Sequence, residues 1–293
     1  MSDVAGFLTR PWGRVTVSGP DGTSFLQALV SQDLGAVADG GSVPCLLLHP
    51  QGKLDVAFRA HRVDGGWWCT TEPTAATRLA ASLTRFRIRV QADIVDATAD
   101  TARAEVVAFT GPVPGGLPGC PDGCVTAADV RPGWTSTEIV GPVAPVQAWL
   151  AATGTVVGDD GRREALRIAA GLPRQDVDLD DSVIPQEAFL ERDAVSFTKG
   201  CFLGQELVCR IDARGHVNRF LRRLAPSGPV AVGDEIRFDD RTVGAVTSAA
   251  ERDDGWVALG WVRREVVPPA TVEVVTDGGP VPTVVAVGPD SDE

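Results

Sequence analysis

At 293 residues the chain can bury a substantial core and fold as two or three compact units. Its apolar, charged, Gly and Pro contents exclude a disordered or fibrous protein, and no apolar run approaches the length of a membrane-spanning helix. A net charge of −12 argues against direct nucleic-acid binding, which usually relies on clustered Lys and Arg to neutralise phosphates.

Asp3 and Arg10 interrupt the apolar residues at the N-terminus, so no signal peptide is expected and the chain reads as cytoplasmic. Arg14–Ser18 alternates like a strand. A helix should follow, with Asp21 or Thr23 as its cap and capping-box spacing at Ser24-x-x-Gln27. Phe25, Leu26, Leu29 and Val30 would form its buried stripe, and Gly35 its stop. Val43–His49 and Leu54–Val63 read as strands across the turn Pro50-Gln51-Gly52-Lys53. Trp67–Thr71 is another strand. An Ala-rich helix runs from Pro73 to about Thr84, and Ile88–Asp93 and Arg103–Thr110 are further strands.

The Gly- and Pro-dense stretch Gly111–Gly123 predicts an exposed loop. Gln147–Thr153 and Arg162–Ala170 read as short helices, the first ended by Gly154 and the second by Gly171 and Pro173. Beyond Pro226 the pattern changes to short strands and tight turns: Glu235–Phe238, Thr242–Ala249, Trp256–Trp261, Thr271–Thr276 and Val281–Val287. Five strands at this spacing suggest a small closed or nearly closed barrel. A domain boundary is expected near Leu221–Gly228, dividing the chain into residues 1–220 and 221–293, and the fold class is α+β. A short acidic tail, Asp290–Glu293, ends the sequence.

Six cysteines, at 45, 69, 120, 124, 201 and 209, form no C-x-x-C pair, which suits free thiols in a reducing compartment. Cys120 and Cys124 read as loop residues, and His49, His61 and His216 are too scattered to name a metal site. Of 27 basic residues only two are Lys, and both adjoin glycine, in Gly52-Lys53 and Lys199-Gly200. The richest segment is Lys199-Gly200-Cys201-Phe202-Leu203-Gly204-Gln205-Glu206, continuing to Arg210. Its two glycines bracket the cysteine in a tight turn, and helical spacing from Gln205 to Ile211 sets Cys201 just before a helix N-terminus. Such a helix end, with Lys199 and Arg210, favours thiolate over thiol, so Cys201 is expected to titrate below the ordinary thiol value. It suits a nucleophile, a redox centre or a metal ligand; the plain alternative is a small buried hydrophobe. The stretch Arg210, Arg214, His216, Arg219, Arg222 and Arg223 has only Asp212 as counter-charge, and reads either as an anion site or as a solvated face with surface ion pairs.

The segment KGCFLGQELVCRIDARGHVNR resembles the signature K-G-C-[YF]-x-G-Q-E, followed by an Arg and R-G…R, of the YgfZ family, folate-binding relatives of the glycine-cleavage T protein. LRIAAGLPRQDVD, IPQEAF and VTVSGPDGTSFLQALVSQDL, with the GxVTS and ALGWVR segments near the C-terminus, resemble other elements of that family in order over most of the chain. The resemblance implies a T-protein-like fold with a central channel for tetrahydrofolate or a one-carbon derivative. It also implies a role in iron–sulfur cluster assembly or repair that affects tRNA-modifying radical enzymes, with iron–sulfur or cluster-assembly proteins as partners. Cys201 would be the reactive residue together with Lys199, in a loop shaped by Gly200, Phe202, Gly204, Gln205, Glu206 and Arg210. Leu54, Arg167 and Pro185 are the expected folate-wall residues, and Arg219 and the basic stretch would meet a glutamate tail.

The departures from the family matter too. The aromatic of the motif is Phe202 and the chain has no Tyr. Cys209 stands where the family usually has Ala, and reads as a core cysteine or, less simply, as a pair with Cys201. The related aminomethyltransferases carry a G-G-x-x-D-D motif whose acid acts at the folate. Aligned on Gly52, its acidic positions are here Val56 and Ala57, and Asp55 reads as a turn or strand-end carboxylate. Aminomethyl transfer or demethylation is therefore the rival activity, and a non-catalytic folate-binding scaffold the third.

Overall fold

Short Val-rich strands separated by Gly and Pro turns assemble into three sheets, and helices fill the faces between them. The computed structural model describes residues 4–286 except 110, 114 and 132. Thr110, Val287 and the acidic tail Asp290–Glu293 lie outside the described residues.

The chain opens with β1 (Val4–Thr9), β2 (Gly13–Ser18) and α1 (Gly22–Leu29). An antiparallel meander follows: β3 (Ser42–Leu48), β4 (Leu54–Val63) and β5 (Gly66–Thr71). After α2 (Pro73–Phe86), β6 (Asp93–Asp96) pairs with β2 and completes a five-stranded sheet ordered β3-β4-β5-β2-β6. Phe25 and Leu26 of α1 and Ala75, Ala76, Leu79 and Leu83 of α2 share one core cluster with Val15, Val17, Val56 and Phe58 of that sheet. Each helix therefore buries its apolar stripe against alternate residues of the strands.

The expected cap of α1 forms differently. Ser24 donates back to the Asp21 carbonyl, Gln27 bonds Asp33 and the Leu34 amide, and the Asp21 carboxylate accepts from the Gln91 amide. Thr23 accepts from the Trp67 indole. No capping box closes, and the helix stops at Leu29 ahead of Gly35, which lies in a 3-10 turn capped by Asp33. The strand expected at Ile88–Asp93 starts only at Asp93, because Arg89 takes φ 58° and Ile88 stays exposed.

A second sheet pairs β7 (Thr101–Ala108), β8 (Val125–Arg131) and β9 (Trp134–Pro142) with β1, in the order β1-β7-β9-β8. Its strands β1, β8 and β9 were not expected. Gly6 interrupts β1, and β8 and β9 carry mostly small and polar residues, so their hydrophobic alternation is weak. α3 (Val143–Ala152) packs on this sheet through Val146, Trp149 and Leu150, whereas α4 (Asp160–Ala169) contacts the third sheet. Residues 170–204 are largely irregular, with a 3-10 turn at Pro185–Glu187 and the short α5 (Glu191–Ala194), before α6 (Gln205–Arg214).

The third sheet is a closed six-stranded barrel of β10 (Arg219–Pro226), β11 (Glu235–Phe238), β12 (Arg241–Arg252), β13 (Gly255–Arg263), β14 (Ala270–Thr276) and β15 (Gly279–Val285). Five of these strands were legible in the sequence. The sixth, β10, closes the ring by pairing with both β13 and β15, and the division at residues 220 and 221 falls inside it. Among the described residues no helix is long and apolar enough to cross a membrane.

Candidate functional site

The cysteine loop is held from both sides. Lys199 reaches back to the C-terminal end of α1 and donates to the carbonyls of Gln27 (2.6 Å), Val30 (2.6 Å) and Gln32 (2.9 Å). These acceptors match the three N–H groups of an ammonium and lie where a helix end leaves carbonyls unpaired and favours a cation. Burial pushes the Lys199 ammonium down to about 8. On the other side Phe202 sits in a core cluster with Leu46, Leu48, Leu54 and Val208, and its amide donates to the Gln205 side chain at 3.1 Å. Between these anchors Gly200 takes φ 96°, and Cys201 is exposed.

Two glycines lock this loop to the Gly52 turn. Gly204 (φ 77°) is the N-cap of α6, and a Cβ there would overlap the His49 carbonyl oxygen. Gly52 (φ 81°) faces it, and a Cβ there would lie 2.6 Å from the Leu207 Cβ and 2.9 Å from the Gly204 oxygen. The two backbones touch, which explains the glycine at each position. Glu206 and Arg210 are exposed on α6.

Two expectations change here. The Lys199 cation expected to acidify Cys201 spends its donors on carbonyls at and just beyond the end of α1 and serves as a strut. Cys209 is half-buried on α6, not a core residue; burial, Asp212 and Cys201 push its thiol up.

A cavity of about 740 Å³ lies where the three sheets converge. Its walls include Leu46 of β3, Phe58 of β4, Arg131 of β8, Leu172 after α4, Phe189 and Arg192 near α5, and Leu221 and Arg222 of β10. Leu54, Pro185, Arg219 and Cys201 are not among its lining residues. Leu54 is fully buried, its amide donating to the Val183 carbonyl, and Pro185 is buried at the start of its 3-10 turn. Arg219 pairs with Glu187 at 3.3 Å and lies over the Trp261 ring.

Arg167 lines a smaller cavity of about 290 Å³ that shares Ala57, Phe58 and Arg131 with the larger one. Its guanidinium is fully engaged, by Glu164, the Leu172 carbonyl, Asp178 and Ser248. It therefore ties α4 to the barrel instead of facing a ligand with open donors.

The basic stretch divides. Arg210, Arg214 and His216 are exposed, while Arg222 and Arg223 line the larger cavity. Arg131, Phe189 and Arg192 join them there from elsewhere in the chain. No local motif marks these three; only the excess of Arg over Lys hints at a need for planar cations. Asp55 turns to α2, accepting from Ser82 at 2.7 Å and pairing with Arg78 at 3.4 Å. Val56 belongs to the core and Ala57 lines both cavities, so neither aligned acidic position offers a carboxylate. Among the described residues no group of three or more His, Cys, Asp and Glu is arranged to hold a metal ion.

No family model matches the chain. Its sequence is 30% identical over 290 residues to a protein of Edwardsiella ictaluri named tRNA-modifying protein YgfZ, covering 91% of this chain and 86% of that one. A protein of the same name from Klebsiella pneumoniae is 27% identical over 293 residues, covering 91% of this chain and 87% of its own. The fold is similar to that of the glycine cleavage system aminomethyltransferase T from Bartonella henselae, with a TM-score of 0.82 at 20% identity, over 98% of this chain and 86% of that one. With the Lys199–Glu206 motif in place and similarity running along nearly its whole length, the chain belongs to the YgfZ family.

Proposed function

We propose that this protein is a cytoplasmic folate-binding accessory factor that supports iron–sulfur cluster assembly or repair, and through it tRNA modification, with Cys201 as its reactive group. The observation that carries the folate part is the cavity of about 740 Å³ between the three sheets, a volume within the usual range for small-molecule sites. Apolar walls from Leu46, Phe58, Leu172, Leu221 and Leu259 suit a flat ring system, and the arginines suit carboxylates, so the residues present fit a reduced folate. When bound, the folate would supply a one-carbon carrier. The chain's own part is to exclude water from the ring with those walls and to hold the tail by charge. The shared name of the relatives supports the link to tRNA modification.

For the cysteine, the support is geometric: an exposed thiol on a loop anchored by Lys199 on one side and Phe202 on the other. Anchoring of this kind presents one atom to a partner protein or cluster without ordering cost on contact. Aminomethyl transfer is the weaker reading, because Ala57 stands at the cavity wall where the aligned acid would act.

Calorimetry with reduced folates tests the cavity, and binding at micromolar concentration is expected. Folded protein that fails to bind at high micromolar ligand removes the cofactor. Cys201→Ser should fold and bind folate normally yet fail to complement a strain lacking the family member. Full complementation by that variant defeats the proposed role of the thiol.

A further inference from the structure

The Gly- and Pro-dense loop before β8 carries two of the six cysteines, and neither lines the cavities described above. Pro121-Asp122-Gly123 makes a tight turn between them. The Cys124 amide donates to the Pro121 carbonyl at 3.1 Å, and Gly123 takes φ 72°, the left-handed value that glycine allows at the third residue of such a turn. The turn folds Cys120 back onto Cys124. Its thiol donates to the Cys124 carbonyl oxygen at 3.4 Å and to that of Pro121 at 3.7 Å.

Both flanks of the turn are fixed. The Trp149 indole of α3 donates to the Pro118 carbonyl at 2.9 Å, and Leu117 packs in the core cluster of that helix. Cys124 packs in the same cluster, and its sulfur rests on the bare backbone of β9, where a Cβ on Gly141 would lie 2.5 Å from it. The two thiols are therefore held near each other by a preset frame, not by the chance closure of a free loop. Cys120 is exposed and Cys124 half-buried, so a small reagent reaches the first before the second. Burial and Cys120 push the Cys124 thiol up to about 11, and burial and Asp122 push that of Cys120 up. The other cysteines stand apart: Cys45 and Cys69 are buried in the five-stranded sheet, and Cys201 and Cys209 belong to the motif loop and α6.

We infer that Cys120 and Cys124 are a disulfide site, closed by exchange with a low-molecular-weight disulfide such as oxidised glutathione, and that the closed ring staples the entry to β8. The Cys120 thiolate attacks one sulfur of the small disulfide, forming a mixed disulfide and releasing a first small thiolate. The Cys124 thiolate then attacks the Cys120 sulfur, completes the ring and releases the second. Two protein thiols are oxidised, the small disulfide is reduced to two thiols, and the two protein protons pass to the departing thiolates. Because both protein thiols lie above their ordinary value, thiolate is scarce at neutral pH and closure is slow. The same high values make both sulfurs poor leaving groups, so the closed ring resists reopening. The site suits a lasting response to an oxidising shift, and it stands apart from the folate and Cys201 readings.

The test is incubation of the full chain with oxidised glutathione at pH 7 and pH 8, followed by alkylation and peptide mapping by mass spectrometry. The segment holding both cysteines should lose two hydrogens and carry neither the alkyl group nor glutathione, with closure about tenfold faster at the higher pH. Cys124→Ser should stop at glutathione on Cys120, because no second thiol is in reach. In the closed chain the amides of β8 should exchange hydrogen more slowly by about tenfold, and a reducing agent should restore the open rate. Wild-type chain that keeps glutathione on Cys120, or that leaves both thiols free once Cys201 has reacted, overturns the pairing. A ring that forms but leaves exchange at β8 unchanged overturns the staple.

Discussion

Lys199 shows how a residue read as chemical can act mechanically. Three carbonyls within 2.9 Å fit the compact ammonium, and a planar guanidinium cannot meet all three from one point. Lys199→Met should cost about 2 kcal/mol in chemical denaturation, because charge-assisted bonds and helix-end carbonyls are lost together. Lys199→Arg should recover only part of that, and in both variants alkylation of Cys201 should change in rate as its loop loosens. Unchanged stability and alkylation would remove the strut. The loop glycines make a sharper comparison. Gly200→Ala meets nothing within 4 Å and should cost only the positive-φ strain, about 1 kcal/mol. Gly204→Ala adds an overlap with the His49 backbone, and should cost more than about 2 kcal/mol by the same measurement. Equal costs would mean that the two turns do not touch. The motif was legible in the sequence as a cysteine between glycines. Which glycine serves φ alone and which serves close approach was not, because the Gly52 turn is distant in sequence.

At the level of elements, the five- and four-stranded sheets are joined by buried charges. Glu138 on β9 bonds Arg103 on β7 at 2.6 Å and faces Arg59 on β4 at 3.6 Å. Burial pushes the Glu138 carboxyl up, but Arg103, Arg59 and His61 together hold it below its ordinary value. His61 of β4 is buried beside this group, with Nε2 3.1 Å from the Thr70 hydroxyl, and burial lowers its pKa to about 4 against Glu138, which raises it. Its folded pKa lies below the unfolded value of 6.5, so the unfolded chain takes up the proton first as pH falls. Its contribution is therefore constant above about pH 6.5 and is lost between there and about pH 4, by about 3 kcal/mol in all. Urea titrations of wild type and His61→Gln at pH 7 and pH 4.5 should show a smaller acid loss for the variant. Parallel losses would show that His61 does not titrate in folding. None of this was readable in advance, because β9 carries too little hydrophobic alternation to announce a strand.

For the whole molecule, the barrel is joined to the rest by polar and apolar contacts. Arg167 of α4 bonds Ser248 of β12 and pairs with Asp178, which also accepts from Thr247 and Ser248. Arg167→Met leaves the buried Asp178 carboxylate without its cation, a loss of about 3–5 kcal/mol in equilibrium unfolding. An effect below about 1 kcal/mol would show that the tie is not needed. Leu221 and Leu259 of the barrel belong to the same core cluster as Phe202 and Leu54. Deleting residues from about 226 removes both partners of β10 and should leave an insoluble chain; a soluble truncation active in complementation would show the barrel to be dispensable.

The sequence alone determined the α+β class, most of the helices, five of six barrel strands and the cysteine loop, because these depend on local periodicity, turn residues and one dense motif. Only the tertiary structure decided that β10 closes the barrel, that Lys199 holds the end of α1, and that Leu54 is fully buried while the Arg167 donors go to Glu164, Asp178 and Ser248. It alone brought Arg192 and Arg222 over the Phe189 ring and Arg131 to the same cavity. The physical reason is common to all four: each rests on contacts between residues far apart in the chain, and a hydrogen bond or a shared wall of that kind leaves no local pattern in the residues that make it.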